Sequence, residues 1–246
     1  MDHYVQDKVV IITGGTSGFG REAARILLEM GAKVAITGRN RQRLDAAAQE
    51  LAQANLFTVQ ADAVETADWK RLVAEVVARF GRIDVLVNNH GAGVKITEVE
   101  NMDDQTIQQV LDVNLASVIK GCREVIAVMK RQGRGHIVNV SSACAHHSWP
   151  CWAVYTAAKA GLIGYTRCLH LEMATWGGKA TSFVPGAART GFCDAAGIAA
   201  DWLDGYPDAH DFARTLVHCI DIPDNSFIEE VNIWGTKQVK EMISPF

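Results

Sequence analysis

The sequence lacks several features that mark particular classes of protein. Its 24 basic residues do not outnumber its 28 acidic ones, so nucleic acid is not an expected partner. It contains no apolar run near the ~18 residues of a membrane span and no start resembling a secretory signal, so no membrane association is expected. The six cysteines include no C-x-x-C pair, which favours a reduced, cytoplasmic setting over a disulfide framework.

Internal boundaries are also scarce. With five prolines in 246 residues, no repeat and no low-complexity tract, the chain offers no linker at which a second domain begins. A composition of 48% apolar and 21% charged residues is sufficient for one sizeable core. We therefore predict a single domain over residues 1–246. The segment Gly186–Pro207 departs from the regular pattern, and we expect a short substrate lid around residues 191–206.

Short apolar segments alternate with longer amphipathic ones along the chain. The predicted strands are Lys8–Thr13, Lys33–Thr37, Leu56–Gln60, Ile83–Val87, His136–Val140, Ala180–Val184 and Phe227–Trp234. The predicted helices are Gly20–Met30, Arg41–Gln53, Thr66–Phe80, Met102–Arg131, Trp152–Thr175 and Asp208–Ile220. Val- and Ile-rich strands that alternate with helices are typical of parallel sheets. The sequence predicts an α/β fold of the Rossmann type: a doubly wound, parallel, seven-stranded sheet with helices on both faces.

A glycine-rich segment follows the first predicted strand and leads directly into a helix. It reads TGGTSGFG over Thr13–Gly20, and its G-x-x-x-G-x-G spacing differs from G-x-G-x-x-G. Glycine allows close approach to a ligand, and a helix N-terminus offers free N–H groups to a pyrophosphate. A glycine-rich turn without a ligand remains the alternative. The loop residues expected to contact a dinucleotide are Gly14, Thr16, Ser17, Gly18, Phe19 and Gly20.

The end of the second strand bears on the choice between the two nicotinamide dinucleotides. An NAD site usually carries an acid about 20 residues beyond the glycines, where it binds the ribose 2′-OH. Here no acid lies between Lys33 and Arg43. Arg39, with Arg41 or Arg43 as a further cation, can instead form a charge-assisted pair with a 2′-phosphate. We therefore predict NADP(H) over NAD(H), with Arg39 as the main determinant.

Tyr155 and Lys159 form a Y-x-x-x-K pair on a predicted helix, so both side chains lie on one face. A tyrosine with a pKa of ~10 becomes an acid–base catalyst near neutral pH when a neighbouring cation stabilises its phenolate. The pair alone is common on helix surfaces. Ser142 adds a hydroxyl at the end of the fifth strand, the edge at which parallel α/β sheets bind ligands.

Several motifs occur together in the order of one known family. They are TGGTSGFG at Thr13–Gly20, Asp62, NNHG at Asn88–Gly91, Asn114, Ser142, Tyr155-x-x-x-Lys159 and PGAART at Pro185–Thr190. Through these motifs, the chain resembles the single-domain short-chain dehydrogenase/reductases over nearly its whole length. His90 departs from the usual N-N-A-G. We expect its ring to crowd the cofactor shelf as a packing variant, with a substrate contact as the alternative.

The resemblance implies a role for each matching residue. Tyr155 would exchange a proton with the carbonyl oxygen, and Ser142 would polarise that oxygen. Lys159 would hold the nicotinamide ribose and lower the tyrosine pKa, while Asn114 would fix a proton-relaying water. The further cofactor contacts that the resemblance implies are Asp62 at the adenine, Asn89 at its ribose, Thr190 at the carboxamide, and Ala63, Gly91, Pro185 and Gly186.

The segment between Ser142 and Tyr155 lines the substrate cleft in the family that the chain resembles. The candidates for substrate contact are Cys144, His146, Trp149 and Trp152. His146 and His147 lack a third ligand at metal spacing, so no metal site is predicted. The tryptophans favour an apolar or ring-shaped substrate, and the sequence does not identify it.

The resemblance implies an NADP(H)-dependent oxidoreductase that acts on a small or medium carbonyl or secondary alcohol. The alternatives are a regulator that senses NADPH without catalysis and an NAD-dependent alcohol, polyol or hydroxy-acid dehydrogenase. An extended-type epimerase or dehydratase would need a larger substrate domain after Thr190. Long apolar faces on the helices Met102–Arg131 and Trp152–Thr175, with the resemblance, imply a homodimer or homotetramer whose other partner is a small-molecule substrate.

Overall fold

The regular elements alternate between strand and helix along most of the chain. The computed structural model describes residues 3–91, 97–197 and 203–243, except for the side chains of residues 193–195, 242 and 243. The strands are β1 (Val9–Thr13), β2 (Lys33–Gly38), β3 (Leu56–Gln60), β4 (Val85–Asn88), β5 (Gly135–Val140), β6 (Gly178–Pro185) and β7 (Glu230–Ile233). The helices are α1 (Gly18–Glu29), α2 (Arg41–Leu51), α3 (Thr66–Phe80), α4 (Asp104–Leu111), α5 (Ser117–Gln132), α6 (Ala153–Ala174), α7 (Gly191–Ala196), α8 (Ala209–Ile220) and α9 (Thr236–Ile243).

The strands form one seven-stranded parallel sheet in the order β3-β2-β1-β4-β5-β6-β7. The predicted fold class is therefore confirmed. The chain leaves β1 toward β2 on one side and later returns to its other side as β4. In such sheets the crevice at this reversal, beyond the carboxyl ends of the strands, is where ligands bind.

Two apolar layers cover the sheet because successive residues of a strand point to opposite faces. Ile12 of β1 belongs to the layer that includes Leu27 of α1 and Phe212 of α8. Ile11 of the same strand belongs to the opposite layer, with Trp69 of α3 and helices α5 and α6. Among the helices of the described residues, none combines the length and apolar character that a membrane crossing requires.

The structure corrects several predicted boundaries. The predicted helix Met102–Arg131 begins at Asp104, where Asp103 caps it, and a π-helical turn over Asp112–Ala116 separates α4 from α5. The last strand is Glu230–Ile233, shorter than Phe227–Trp234, and the Phe227 ring instead stacks on His170. The sequence analysis did not predict α7 or α9. Residues 198–202 of the expected lid lie outside the described residues.

Candidate active site

A cavity of about 590 Å³ lies at the carboxyl edge of the sheet and extends from Arg39 to Tyr155. The predicted site residues that line it are Gly14, Thr16, Ser17, Gly18, Phe19, Arg39, Asp62, Ala63, Asn89, Gly91, Ser142, Tyr155, Lys159, Pro185 and Thr190. A smaller cavity of about 220 Å³, around Asp84 and His136, lies at the opposite edge and contains no predicted site residue. The fold therefore brings most of the predicted residues to one opening.

The glycine loop between β1 and α1 is tightly packed against the end of β4. Gly14 and Gly18 have φ of +64° and +55°, which glycine adopts most readily. Asn89 Nδ2 donates to Thr13 O at 3.0 Å and to Gly14 O at 3.2 Å. A Cβ at Gly20 would lie 2.4 Å from the same amide nitrogen. Asn89 therefore holds the glycine loop in place in addition to lining the cavity. The close contact with Asn89 leaves no room for a Cβ at Gly20.

One end of the cavity carries two arginine side chains. Arg39 and Arg43 line the end near β2, whereas Arg41 pairs with Asp45 through a 3.0 Å contact. Asn40 caps α2 by accepting from the Arg43 amide, so this corner has a defined backbone. In the part of the chain that the structure describes, neither Arg39 nor Arg43 forms an ion pair. Two guanidinium groups at one end fit an anionic group of a ligand there.

Tyr155 and Lys159 lie at the other end of the cavity and are almost fully buried. Lys159 Nζ lies 5.8 Å from the centroid of the Tyr155 ring and donates to Val140 O at 2.9 Å. Burial lowers the pKa of Lys159 to about 8, because the interior disfavours its charged form, and a smaller effect of Cys144 opposes this shift. Ser142 lines the same opening, and its Oγ accepts from the Cys144 amide at 3.2 Å.

Asn114 lies on the π-turn and is fully buried. Its Nδ2 donates to Val110 O at 3.0 Å. Its Oδ1 lies beside Gly91, because a Cβ built at Gly91 would be 3.2 Å from Asn114 Oδ1 and 3.6 Å from Lys159 Nζ. The structure therefore brings Asn114, Gly91 and Lys159 together, and a larger side chain at Gly91 would crowd both polar groups.

His90 lies in the wall of the cavity, and its ring is held by two hydroxyl groups. Its ring nitrogens contact Thr13 Oγ1 at 2.6 Å and Ser117 Oγ at 2.7 Å. The ring also lies 6.3 Å from the Trp69 ring, centroid to centroid, in the helical layer. Burial, and secondly the charge of Lys159, lower the pKa of His90 to about 3. The imidazole is bonded at both ends, and His90, Thr13 and Ser117 all line the cavity, so crowding of the cofactor shelf stays a prediction.

The four predicted substrate residues are not among the residues that line the cavity. Trp152 packs edge-on against Tyr155, with 5.4 Å between ring centroids. The Trp149 and Trp234 rings lie 6.3 Å apart, centroid to centroid. His146 Nε2 contacts Oε1 of Glu230, at the start of β7, at 2.7 Å. Cys144 is half-buried beside Ser142. In the described residues, no group of three His, Cys, Asp or Glu side chains gathers as a metal site.

One residue that lines the cavity and one that supports the segment after β6 were not predicted from the sequence. Phe192 of α7 lines the cavity and lies 5.6 Å from the Tyr155 ring and 6.4 Å from the Trp152 ring, centroid to centroid. Gln238 of α9 is buried, and its Oε1 accepts from the Ala187 amide at 2.8 Å. A Cβ at the neighbouring Gly186 would lie 2.4 Å from this oxygen. Neither residue has a local motif, so only the fold could identify them.

Comparison with known proteins gives consistent matches in sequence. A family model described as short chain dehydrogenase matches residues 8–198. An uncharacterized oxidoreductase of Staphylococcus saprophyticus is 32% identical over 244 residues, covering 95% of this chain and 98% of that protein. A 3beta-hydroxysteroid dehydrogenase of Mediterraneibacter gnavus is 36% identical over 186 residues, covering 75% of this chain and 67% of that protein.

Solved structures give the same result. A serine dehydrogenase complexed with NADP+ superposes with a TM-score of 0.88 at 25% identity, over 94% of this chain and 96% of that one. A 3-ketoacyl-(acyl-carrier-protein) reductase from Brucella melitensis complexed with NADH superposes with a TM-score of 0.87 at 27% identity, over 95% and 99% of the two chains. These similar structures therefore bind both kinds of nicotinamide cofactor.

Proposed function

This chain belongs to the short-chain dehydrogenase family and is an oxidoreductase, and we propose that it transfers a hydride between NADP(H) and a small or medium carbonyl or secondary alcohol. One observation carries the proposal: Ser142, Tyr155 and Lys159 share a cavity with Arg39 at its far end. The glycine loop lines the same cavity, which has a volume of about 590 Å³.

The chemistry divides between the cofactor and the chain. The bound cofactor supplies the hydride, and the residues of the chain orient it and handle the proton. Tyr155 donates the proton to the carbonyl oxygen in reduction and accepts it in oxidation. Ser142 Oγ accepts from the Cys144 amide, so its own proton is directed elsewhere, and we assign it to the substrate oxygen. Lys159 holds the ribose, and Asn114 fixes a water beside it.

The preference for NADP(H) rests on the charge at one end of the cavity. Arg39 and Arg43 can bind a 2′-phosphate, because neither is engaged by an acid among the described residues, whereas Arg41 is paired. The remaining contacts that we propose for the cofactor are Gly14, Thr16, Ser17, Gly18, Phe19, Gly20, Asp62, Ala63, Asn89, Gly91, Pro185, Gly186 and Thr190.

The substrate that we propose is apolar or ring-shaped. The rings of Trp152 and Phe192 lie next to Tyr155, and aromatic side chains offer large, flat contact areas. Burial raises the pKa of Cys144, so its thiol is neutral and is not a nucleophile. The relative named as a 3beta-hydroxysteroid dehydrogenase acts on a ring system, which supports this class. The segment 191–206 serves as a modest lid in this proposal.

The test is NADPH oxidation with a panel of ketones that includes cyclic, aromatic and long-chain acyl compounds. We expect turnover with cyclic or aromatic ketones, and turnover confined to long acyl substrates would contradict the substrate class. Ser142→Ala should lower turnover by about 10²–10³, the range for one oxyanion-type donor. We also propose a reducing, cytoplasmic setting, since the five cysteines with described side chains are free thiols.

A further inference from the structure

His90 joins two parts of the site that lie far apart in sequence. One ring nitrogen contacts Thr13 at the end of β1, and the other contacts Ser117 at the start of α5. We propose that His90 is a positioning residue, a strut that sets the distance between the glycine loop and the π-turn that carries Asn114. This inference rests on the proposed function, because Asn114 serves the proton path there.

The hydrogen bonds around the ring fix its tautomer. Thr13 Oγ1 accepts from the backbone amides of Asn89 at 3.1 Å and His90 at 3.3 Å. Its own proton has two acceptors within reach, Val87 O at 3.3 Å and His90 Nδ1 at 2.6 Å, and we assign it to His90 Nδ1 as the shorter contact. Ser117 Oγ donates to Val113 O at 2.7 Å, so it accepts from His90 Nε2. Each group therefore has one role, and the imidazole carries its proton on Nε2. Its pKa, lowered to about 3, keeps it neutral near pH 7.

The chain of bonds continues into the turn that holds Asn114. In this turn the Ser117 amide bonds to Asp112 O, five residues back, instead of the α-helical partner. The Ser117 hydroxyl bonds to Val113 O, next to Asn114 in sequence. The Asn114 oxygen in turn lies beside Gly91, the residue after His90. His90 and Asn114 therefore both connect the segment of residues 90–91 with the π-turn.

The first experiment compares His90→Ala with the native enzyme. Thr13 Oγ1 keeps an acceptor in Val87 O at 3.3 Å, so the glycine loop should stay in place. We expect the KM for NADPH to stay within about threefold. The kcat should fall by roughly 10-fold to 100-fold, because the π-turn is free to shift. An unchanged kcat, or an increase in KM without a change in kcat, would overturn the proposal.

Two conservative variants separate the two ends of the strut. The amide of a glutamine can reach the Nε2 position and donate to Ser117, whereas an asparagine oxygen reaches the Nδ1 position and accepts from Thr13. His90→Gln should therefore recover most of the lost kcat, and His90→Asn should not. The reverse order would assign the effect to the glycine loop and overturn the proposal.

His136 provides a matched control. It is a second buried histidine with a pKa lowered to about 3, and its Nε2 contacts Thr181 Oγ1 at 2.8 Å at the opposite edge of the sheet. His136→Ala should lose stability while keeping its kcat. An equal loss of kcat in both variants would show that His90 is only structural. If His90→Ala does not fold, Ser117→Ala decides: it should lower kcat to the same extent, and an unchanged kcat overturns the proposal.

Amide hydrogen exchange gives a readout that does not need activity. Exchange at Asn114 and Ser117 should accelerate in His90→Ala and remain native in His136→Ala. If no carbonyl is turned over by the native protein, the proposed function fails, and the exchange result still tests the strut. Native exchange rates at both amides in His90→Ala would overturn the inference whatever the substrate proves to be.

Discussion

Lys159 Nζ lies 5.8 Å from the centroid of the Tyr155 ring while it donates to Val140 O at 2.9 Å. A second bond, from Ser141 Oγ to Lys159 O at 2.9 Å, fastens the same turn of α6 to the end of β5. The lysine therefore has little freedom to move away from the tyrosine. Because both residues are buried, their interaction is only weakly screened by water.

Tyr155→Phe tests the proposed acid–base group. The variant keeps the ring contacts with Trp152 and Phe192 and removes only the transferable proton, so NADPH should bind as in the native protein. Turnover should fall by roughly 10²–10⁴. Tyr165→Phe, on the same helix and not on the cavity wall, is the matched control and should keep native turnover. Near-native turnover in Tyr155→Phe would show that Tyr155 is not the acid–base group.

The pH dependence tests the role of Lys159. Its pKa is lowered to about 8, so the ammonium is charged below that pH and loses its charge as the pH rises through it. We expect kcat to decline above about pH 8. Lys159→Met should lack this inflection, weaken cofactor binding and move the rise of alcohol oxidation to higher pH, because the phenolate loses its neighbouring cation. Identical pH profiles for the two proteins would remove lysine from the mechanism.

Arg39→Ala tests the cofactor preference. Loss of a charge-assisted hydrogen bond to the 2′-phosphate should weaken NADPH binding by roughly 1.5–3 kcal/mol and leave NADH binding unchanged. Arg41→Ala is the control, because Arg41 pairs with Asp45 and does not line the cavity. Both cofactors would be titrated into the three proteins by calorimetry. Tighter binding of NADH than NADPH by the native protein would contradict the preference.

His136 makes the stability of the protein sensitive to acid. Burial is the main cause that lowers its pKa from 6.5 to about 3, so the unfolded state binds a proton in this interval and the folded state does not. Stability should therefore fall as the pH drops from about 6.5 toward 3. In urea unfolding, the loss of stability from pH 7 to pH 5 should be smaller in His136→Gln by roughly 2 kcal/mol. Equal losses would contradict the assigned pKa.

Self-association is the remaining prediction. We propose a homodimer or homotetramer, and the described large apolar side chains exposed on α5 and α6 are Ile119 and Leu171, at 37% and 71% exposure. Sedimentation at micromolar concentration should show a dimer or larger species. Leu171→Glu should weaken it, because a charge would be buried in the contact. Val239→Glu, at an exposed apolar site on α9, should leave it unchanged. A native monomer would overturn this prediction.

The sequence determined the sheet, the helices that cover it and the segments that carry the chemistry. Strand and helix types follow from local periodicity, and β1, β2 and β3 lie within one residue of their predicted ends. The glycine loop and the arginines after β2 were also evident, because glycine conformation and guanidinium charge are properties of the residues themselves. These sequence patterns can be recognised without knowing which residues pack against them.

The tertiary structure decided which side chains meet. Three contacts join residues that are distant in sequence. They are the contact of Asn114 on the π-turn with Gly91, that of Phe192 with Tyr155, and that of His90 with Ser117. His146, a predicted substrate contact, bonds to Glu230 of β7, which the sequence did not indicate. A local pattern reports how buried a residue is, whereas its partners depend on how the layers pack. For that reason, the neighbours of Tyr155, Asn114 and His90 could be assigned only from the fold.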